Sequence, residues 1–297
     1  GPGAVPSDAF PFGARRVSGA TSYAADCSIH QASVYTSELT AAQVAAVYNN
    51  NRPVDESALT PAPTNYYRFG NGDTLFPTLK DYGSGGSNGT AYNMTGSSIV
   101  DGYPQGMSYL FDGVDAYVQA DGVVHGRTDF DWQDEPQTVS VWFRTSSASK
   151  QTLWSFGHSS SRVKYYKLEI EGAAGGNPAY FKVVGSATTS AGLFGQTNSY
   201  TSPNGAVKEV WVNSTDTNGV DPTDGEWHHI VVTFRGVAST AEAVKLYVDG
   251  NYVGYSKSRG SDITVDDFTI GAFRYDGADI VSDYFAGNIA QVSMWTG

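Results

Sequence analysis

Short runs that alternate apolar and polar residues, separated by glycine-rich turns, limit this chain more than any other feature. The clearest are VSVWFRT (Val139–Thr145), YKLEIEG (Tyr166–Gly172), HIVVTFRG (His229–Gly236) and VKLYVDGNYVG (Val244–Gly254). Successive side chains of a strand point to opposite faces, so each run offers one apolar face to a core. In the last run Asp249-Gly250 lies between two apolar stretches, a strong sign of a hairpin. Helical patterns do not alternate with these runs, which argues against a parallel α/β sheet. The expected class is all-β, an antiparallel β-sandwich of the jelly-roll kind, with one short helix near the N-terminus.

The 297 residues suffice for one large β domain or two small ones. Only 16% of them are charged, and the formal net charge is −12. Nucleic acid and anionic membrane surfaces are disfavoured as partners, because clustered Lys and Arg are what bind phosphate. An acidic surface suits solubility and cations. Cys27 is the single cysteine, so neither an intramolecular disulfide nor a cysteine zinc site is expected. No apolar run has the length of a membrane span, so membrane insertion is not expected. No signal peptide stands at the start. The opening Gly1-Pro2-Gly3 reads as a protease scar, which would have removed any native leader. Asn88, Asn93 and Asn213 each head an Asn-x-Thr triplet, a weak pointer to a secretory route.

The spacing of SELTAAQVAAVYNNNR (Ser37–Arg52) predicts the one helix. Thr40 and Gln43 stand at capping-box distance. Leu39, Val44, Val47 and Tyr48 form an apolar stripe, and Pro53 ends the element. The prolines of VDESALTPAPT (Val54–Thr64) read as a linker. A repeat also brackets the chain. FPFGARR (Phe10–Arg16) is similar to FTIGAFR (Phe268–Arg274), and CSIHQASVY (Cys27–Tyr35) to GNIAQVSMW (Gly287–Trp295). The simplest organisation is a tandem array. Residues 1–55 would be the C-terminal fragment of one repeat, 56–64 a linker, and 65–297 most of the next repeat. A strand pair detached from its parent carries an unpaired edge, so it is expected to fold back on the main domain or join a neighbouring chain.

In order along the chain, YLFDGVDAYVQA (Tyr109–Ala120), TVSVWFRT, DGEWHHIVVTFRG with VKLYVDGNYVG, and FAGNIAQVSMW (Phe285–Trp295) resemble the core of laminin G-like, concanavalin A-like jelly-roll domains. Asn65–Pro104 resembles the opening of such domains in bacterial surface and phage structural proteins. LTAAQVAAVYNNNRP resembles the helical tail that follows their last strand. The resemblance covers most of the chain and implies the fold, but one fold hosts many functions.

Several residues are candidates for chemistry. His228 and His229 are neighbours on a strand, so they face opposite ways and cannot share one metal from it. They are read as structural, with Trp227 at the core edge. The loop KDYGSGGSNGT (Lys80–Thr90) resembles a family loop that holds calcium through an Asp and nearby carbonyls. The resemblance implies Asp81 and Asn88 as ligands of a structural calcium. The family often adds an acid in the last strand, where this chain has Ala290. The plain alternative is a turn capped by Asp81. A second acidic group comprises Asp262, Asp266, Asp267, Asp276, Asp279 and Asp283, of which Asp276, Asp279 and Asp283 are the ligand candidates at one rim. Glu169 and Glu171 share a strand face, which admits a glycosidase pair. The third acid of the family's catalytic motif is missing, since Gly172 and two alanines follow. For sugars, the loop tyrosines Tyr103, Tyr200, Tyr255, Tyr275 and Tyr284 are the candidates, because sugar C–H faces stack on aromatic rings.

The expected function is a non-catalytic module at an extracellular or virion surface that binds glycans or a glycoconjugate. A self-assembling structural protein, partnered with copies of itself, is the alternative. A glycosidase of the same fold is the third reading.

Overall fold

The computed structural model describes residues 15–17, 20–22, 25–35, 39–48, 55–69, 76–102, 106–120, 137–158, 161–172, 179–186, 207–212, 220–234, 244–256, 265, 267–274 and 281–296. The N-terminal part holds β1 (Arg15–Val17), β2 (Ala20–Ser22), β3 (Ala25–Tyr35) and helix α1 (Ala41–Tyr48). After a 3-10 turn at Glu56–Ala58 come β4 (Asn65–Arg68), β5 (Thr78–Leu79), β6 (Gly89–Tyr92), β7 (Ile99–Gly102), β8 (Gly106–Asp112) and β9 (Tyr117–Ala120). The middle of the chain forms β10 (Gln137–Arg144), β11 (Gln151–His158), β12 (Ser161–Glu171), β13 (Tyr180–Ser186) and β14 (Val207–Val212). The last part forms β15 (Trp227–Phe234), β16 (Val244–Val248), β17 (Asn251–Ser256), β18 (Asp267–Ile270), β19 (Phe273–Arg274), β20 (Val281–Ser282) and β21 (Phe285–Thr296).

Two antiparallel sheets face each other as a sandwich. The larger runs β14-β13-β12-β11-β18-β9-β6-β5. The smaller contains β4, β3, β10, β21, β8 and β7, and the meander β15-β16-β17 lies beside β10. Alternation decides which side chains meet between them. Phe143 of β10 packs edge-on against Phe181 of β13, with centroids 5.8 Å apart, and Phe234 of β15 meets Tyr166 of β12 at 5.3 Å. Val139, Val141, Leu168, Ile170, Ile230, Val232 and Ile289 are buried in the same core. The Asp249-Gly250 turn has φ of 49° and 76°, the paired positive values that a two-residue type I′ hairpin needs.

The helix forms where the sequence pattern places it. It spans Ala41–Tyr48, and the remainder of 37–52 apart from Leu39 and Thr40 lies outside the described residues. Its capping box forms: Gln43 N donates to Thr40 Oγ1 (3.3 Å) and Thr40 N to Gln43 Oε1 (2.8 Å). Leu39, Val44 and Val47 are buried against the sandwich, so the apolar stripe docks on this chain's own domain. Residues 56–64 are docked as well. Glu56 is buried, and Trp295 Nε1 donates to Pro61 O (3.3 Å).

Both copies of the repeat pair with β10 in the smaller sheet. Val139, Ser140 and Val141 of β10 lie opposite Met294, Ser293 and Val292 of β21. The same three residues lie opposite Val34, Ser33 and Ala32 of β3. β3 and β21 run parallel, in register from Ala25 with Phe285 to Tyr35 with Trp295. β10 thus pairs with both copies of the sequence repeat, β3 and β21.

Candidate functional site

Asp81 is buried at the start of its glycine-rich loop. Its Oδ1 accepts from Tyr66 N and Gly83 N, both at 2.8 Å. Its Oδ2 accepts from Asn65 Nδ2 (2.6 Å) and Ser87 N (2.8 Å). Burial raises its pKa, and these four hydrogen bonds oppose the rise. A carboxylate has about four lone-pair sites, and all are occupied by protein donors. A cation here would have to displace one of them. Asn88 Oδ1 accepts from Asp81 N (3.1 Å), closing the loop on itself.

The two histidines diverge as strand geometry requires. His228 contacts Asp249 Oδ2 through Nδ1 (2.9 Å) and Asp224 Oδ1 through Nε2 (3.1 Å). Burial disfavours its charge, but the two carboxylates outweigh burial and raise its pKa. His229 lies on the other face, with Nε2 2.7 Å from Ser140 Oγ. Its ring is near-parallel to Trp142 (4.7 Å) and to Tyr48 of α1 (5.9 Å). Burial pushes its pKa down to about 3, so it is neutral. Both rings are thus engaged by protein groups on opposite faces of the strand. His229 carries the helix, and His228 ties the two turns together.

The Glu169–Glu171 pair sits in an ion network on the outward face of the larger sheet. Glu169 is buried and pairs with Lys167, with Lys150 (3.5 Å) and with Lys182 (3.6 Å). Lys182 also reaches Glu171 at 3.0 Å, and Lys167 reaches Asp283 at 3.1 Å. The register explains the grouping, because Glu169 and Lys182 are directly opposite on β12 and β13. Burial opposes ionisation of Glu169, but Lys167, Lys150 and Lys182 outweigh it and hold the pKa at about 2. A general acid needs a pKa near working pH. Glu169 is locked in its ionised form, beyond that range.

Of the second acidic group, Asp283 joins these lysines, Asp276 and Asp279 lie outside the described residues, and so do Asp262 and Asp266. Among the described residues no three His, Cys, Asp or Glu side chains are grouped to hold a metal ion. Tyr103, Tyr200 and Tyr275 also lie outside the described residues. Tyr255 is half-buried on β17, opposite Lys245. Tyr284 is half-buried, and its pKa is raised by burial and by Asp115, Tyr117 and Asp112. Beside it, Tyr117 stacks on the exposed Tyr92 with centroids 4.7 Å apart.

The sequence pattern did not expose one concave site among the described residues. A cleft of roughly 360 Å³ opens where β8, β10 and β21 end against the turn before β15. Arg144, Thr145, Ser146, Ser147, Asn288 and Leu110 line it, with the backbone of Gly225 and Gly287. Arg144 Nη2 donates to Asn288 Oδ1 (3.2 Å), and its guanidinium lies 5.6 Å from the centroid of Trp227. Among the described residues no carboxylate pairs with Arg144. Thr145 Oγ1 donates to Ala286 O (2.6 Å) and accepts from Ser147 N (3.0 Å), which fixes the floor. Leu110 is 40% exposed at the rim. The cleft has the size of a small-ligand site, with an apolar lip and convergent hydroxyl, amide and guanidinium groups. The signal in the sequence was an arginine closing a strand, followed by Thr-Ser-Ser, in a chain with few cations.

The profile of the concanavalin A-like lectin/glucanases superfamily matches residues 112–297. No curated protein matches the chain. Among solved structures, the chain is similar to the HCR/D F1240A mutant, at 11% identity and a TM-score of 0.37, over 69% of this chain and 42% of that one. It is also similar to endo-β-1,4-glucuronan lyase from the fungus Trichoderma reesei, at 15% identity and a TM-score of 0.34, over 69% of this chain and 81% of that one. The chain thus spans under half the length of the first of these. Likeness at this level carries no functional argument.

Proposed function

The chain belongs to the concanavalin A-like lectin/glucanase superfamily, and from that premise we propose that it is a non-catalytic glycan-binding module working at an extracellular or virion surface. The fold is one that carbohydrate-binding modules use in general. The observation that carries the reading is the cleft around Arg144. Sugars present apolar C–H faces and a ring of hydroxyls. Leu110 matches the first, and Thr145, Ser146, Ser147 and Asn288 match the second. Arg144, with no acid beside it among the described residues, adds a preference for sugars that bear a carboxylate or sulfate.

Absence of catalysis is supported by the state of Glu169, which is buried, ionised and paired with three lysines. The test is direct binding of the purified chain to neutral and acidic oligosaccharides, with Arg144→Gln beside the parent. Binding by the parent and its loss in the variant support the reading. Equal binding by both moves the site elsewhere, and turnover of any glycan refutes the non-catalytic part.

A further inference from the structure

We propose that His228 is a positioning residue for ligand binding in the Arg144 cleft, given that this cleft is the binding site: as an imidazolium it clamps the turn that walls the cleft, and loss of its proton releases that wall. The turn, residues 221–226 before β15, supplies Gly225 to the cleft lining. Its own acids fold it. Asp221 Oδ1 accepts from Thr223 N (2.9 Å), and Asp224 Oδ1 accepts from Glu226 N (2.8 Å). Two contacts then tie the turn to the sandwich. Gly225 N donates to Thr145 O (3.0 Å), beside Arg144 in the chain. Asp224 Oδ1 meets His228 Nε2 at 3.1 Å.

The geometry fixes the charge state of the clamp. Both ring nitrogens of His228 lie against carboxylate oxygens, Nδ1 against Asp249 Oδ2 and Nε2 against Asp224 Oδ1. An ionised carboxylate only accepts, so both nitrogens must donate, and only the imidazolium carries two N–H groups. The neutral ring keeps one, so losing the proton breaks one contact. The Asp224 contact is the one to break. It is the longer, at 3.1 Å against 2.9 Å, and the Asp224 side chain is 38% exposed against 17% for Asp249. Asp249 is also held from its other oxygen, which accepts from His229 N (2.8 Å). Among the described residues, these two aspartates are the titratable groups that face His228, and β10 faces it with the Phe143 ring at 5.9 Å. The carboxylates raise the pKa above the ordinary 6.5. The clamp is therefore complete below pH 6.5 and is lost as pH rises through the raised value. Arginine and a sugar carboxylate stay charged across that range, so their attraction does not change with it.

The experiment compares the full chain with its Asp224→Asn variant at pH 6 and pH 9. Deuterium uptake of a peptide covering residues 221–227 reads the wall, with labelling times scaled to the intrinsic exchange rate at each pH. Calorimetry with tetragalacturonate, an oligomer of carboxylate-bearing sugars, reads the cleft. At pH 9 the parent peptide should lose protection about fivefold, the scale of an ion pair with one partner over a third exposed. Tetragalacturonate should bind more weakly by a similar factor. Asp224→Asn keeps an acceptor for Glu226 N but no charge, so its protection and affinity should stay at the parent's pH 9 level at both pH values. Equal protection of the parent at the two pH values overturns the proposal, and so does a loss that persists undiminished in Asp224→Asn. Equal affinity at pH 6 and pH 9 overturns the role in binding. If protection shifts as expected but tetragalacturonate binds at neither pH, the clamp stands and the acidic-glycan reading of the cleft falls.

Discussion

Replacing Glu169 by glutamine tests the ion network and the non-catalytic reading together. The substitution keeps size and hydrogen-bonding capacity but deletes the charge. Lys167 and Lys182 have side chains only 4% and 8% exposed, and each loses an ion-pair partner. Removing one member of a buried pair costs about 3–5 kcal/mol, because the other charge stays buried without compensation. At about 2–4 °C per kcal/mol for a domain of this size, the melting temperature should fall by about 6–20 °C. Urea unfolding should show a lower midpoint with an unchanged slope. The double change Lys167→Met with Glu169→Leu should recover most of the loss, since an apolar pair can replace a buried ion pair at little cost. A Glu169→Gln protein with parental stability would refute the electrostatic argument. One that keeps its stability but loses a hydrolytic activity of the parent would make Glu169 catalytic.

Three further outcomes follow from the geometry. His229 has a pKa near 3 when folded, against 6.5 for an exposed histidine, so its burial contributes fully above pH 6.5. That contribution is lost as pH falls toward 3, by about 5 kcal/mol at most, and Glu169 acts in the same direction below the ordinary glutamate value of 4.5. His228 acts in the opposite sense, favouring the fold at low pH and losing that contribution as pH rises through its raised pKa. Urea unfolding at pH 7 and pH 4 should show the net loss on acidification, and His229→Gln should flatten it. Gly250→Ala places a methyl group 2.7 Å from Tyr48 Cδ1 at a φ of +76°. It should cost about 1–3 kcal/mol and reduce the near-ultraviolet dichroism of the Tyr48–Trp142 stack, and Tyr48→Ala in the same chain should relieve part of that cost. A chelator should leave the melting temperature unchanged, because four protein donors already fill the Asp81 carboxylate. A drop of several degrees would mean that an ion holds part of the fold.

What the sequence made legible was local. The Thr40–Gln43 cap, the Asp249-Gly250 hairpin and the divergence of His228 and His229 each depend on residues within a few positions, and each has the geometry its spacing implied. The alternating runs became the strands of the sandwich for the same reason. What stayed hidden depends on register between distant strands. Lys150, Lys167, Lys182 and Asp283 gather round Glu169 only because β12 pairs with β13 and the loops before β11 and β21 fold over them. Asp283, grouped in the sequence with rim acids, is drawn to these lysines instead. The cleft depends on four segments that are far apart in the chain. The repeat between residues 27–35 and 287–295 was visible, but its consequence was not. Only the ladders of β10 show that both copies pair with the same strand.

The most direct test of glycan recognition at the Arg144 cleft is a glycan array probed with the parent, Arg144→Gln and Tyr92→Ala, in calcium and again in chelator. The parent should bind acidic glycans in both conditions, Arg144→Gln should lose them, and Tyr92→Ala, on the separate aromatic patch, should bind as the parent does. No glycan bound by the parent in either condition would contradict the proposed function.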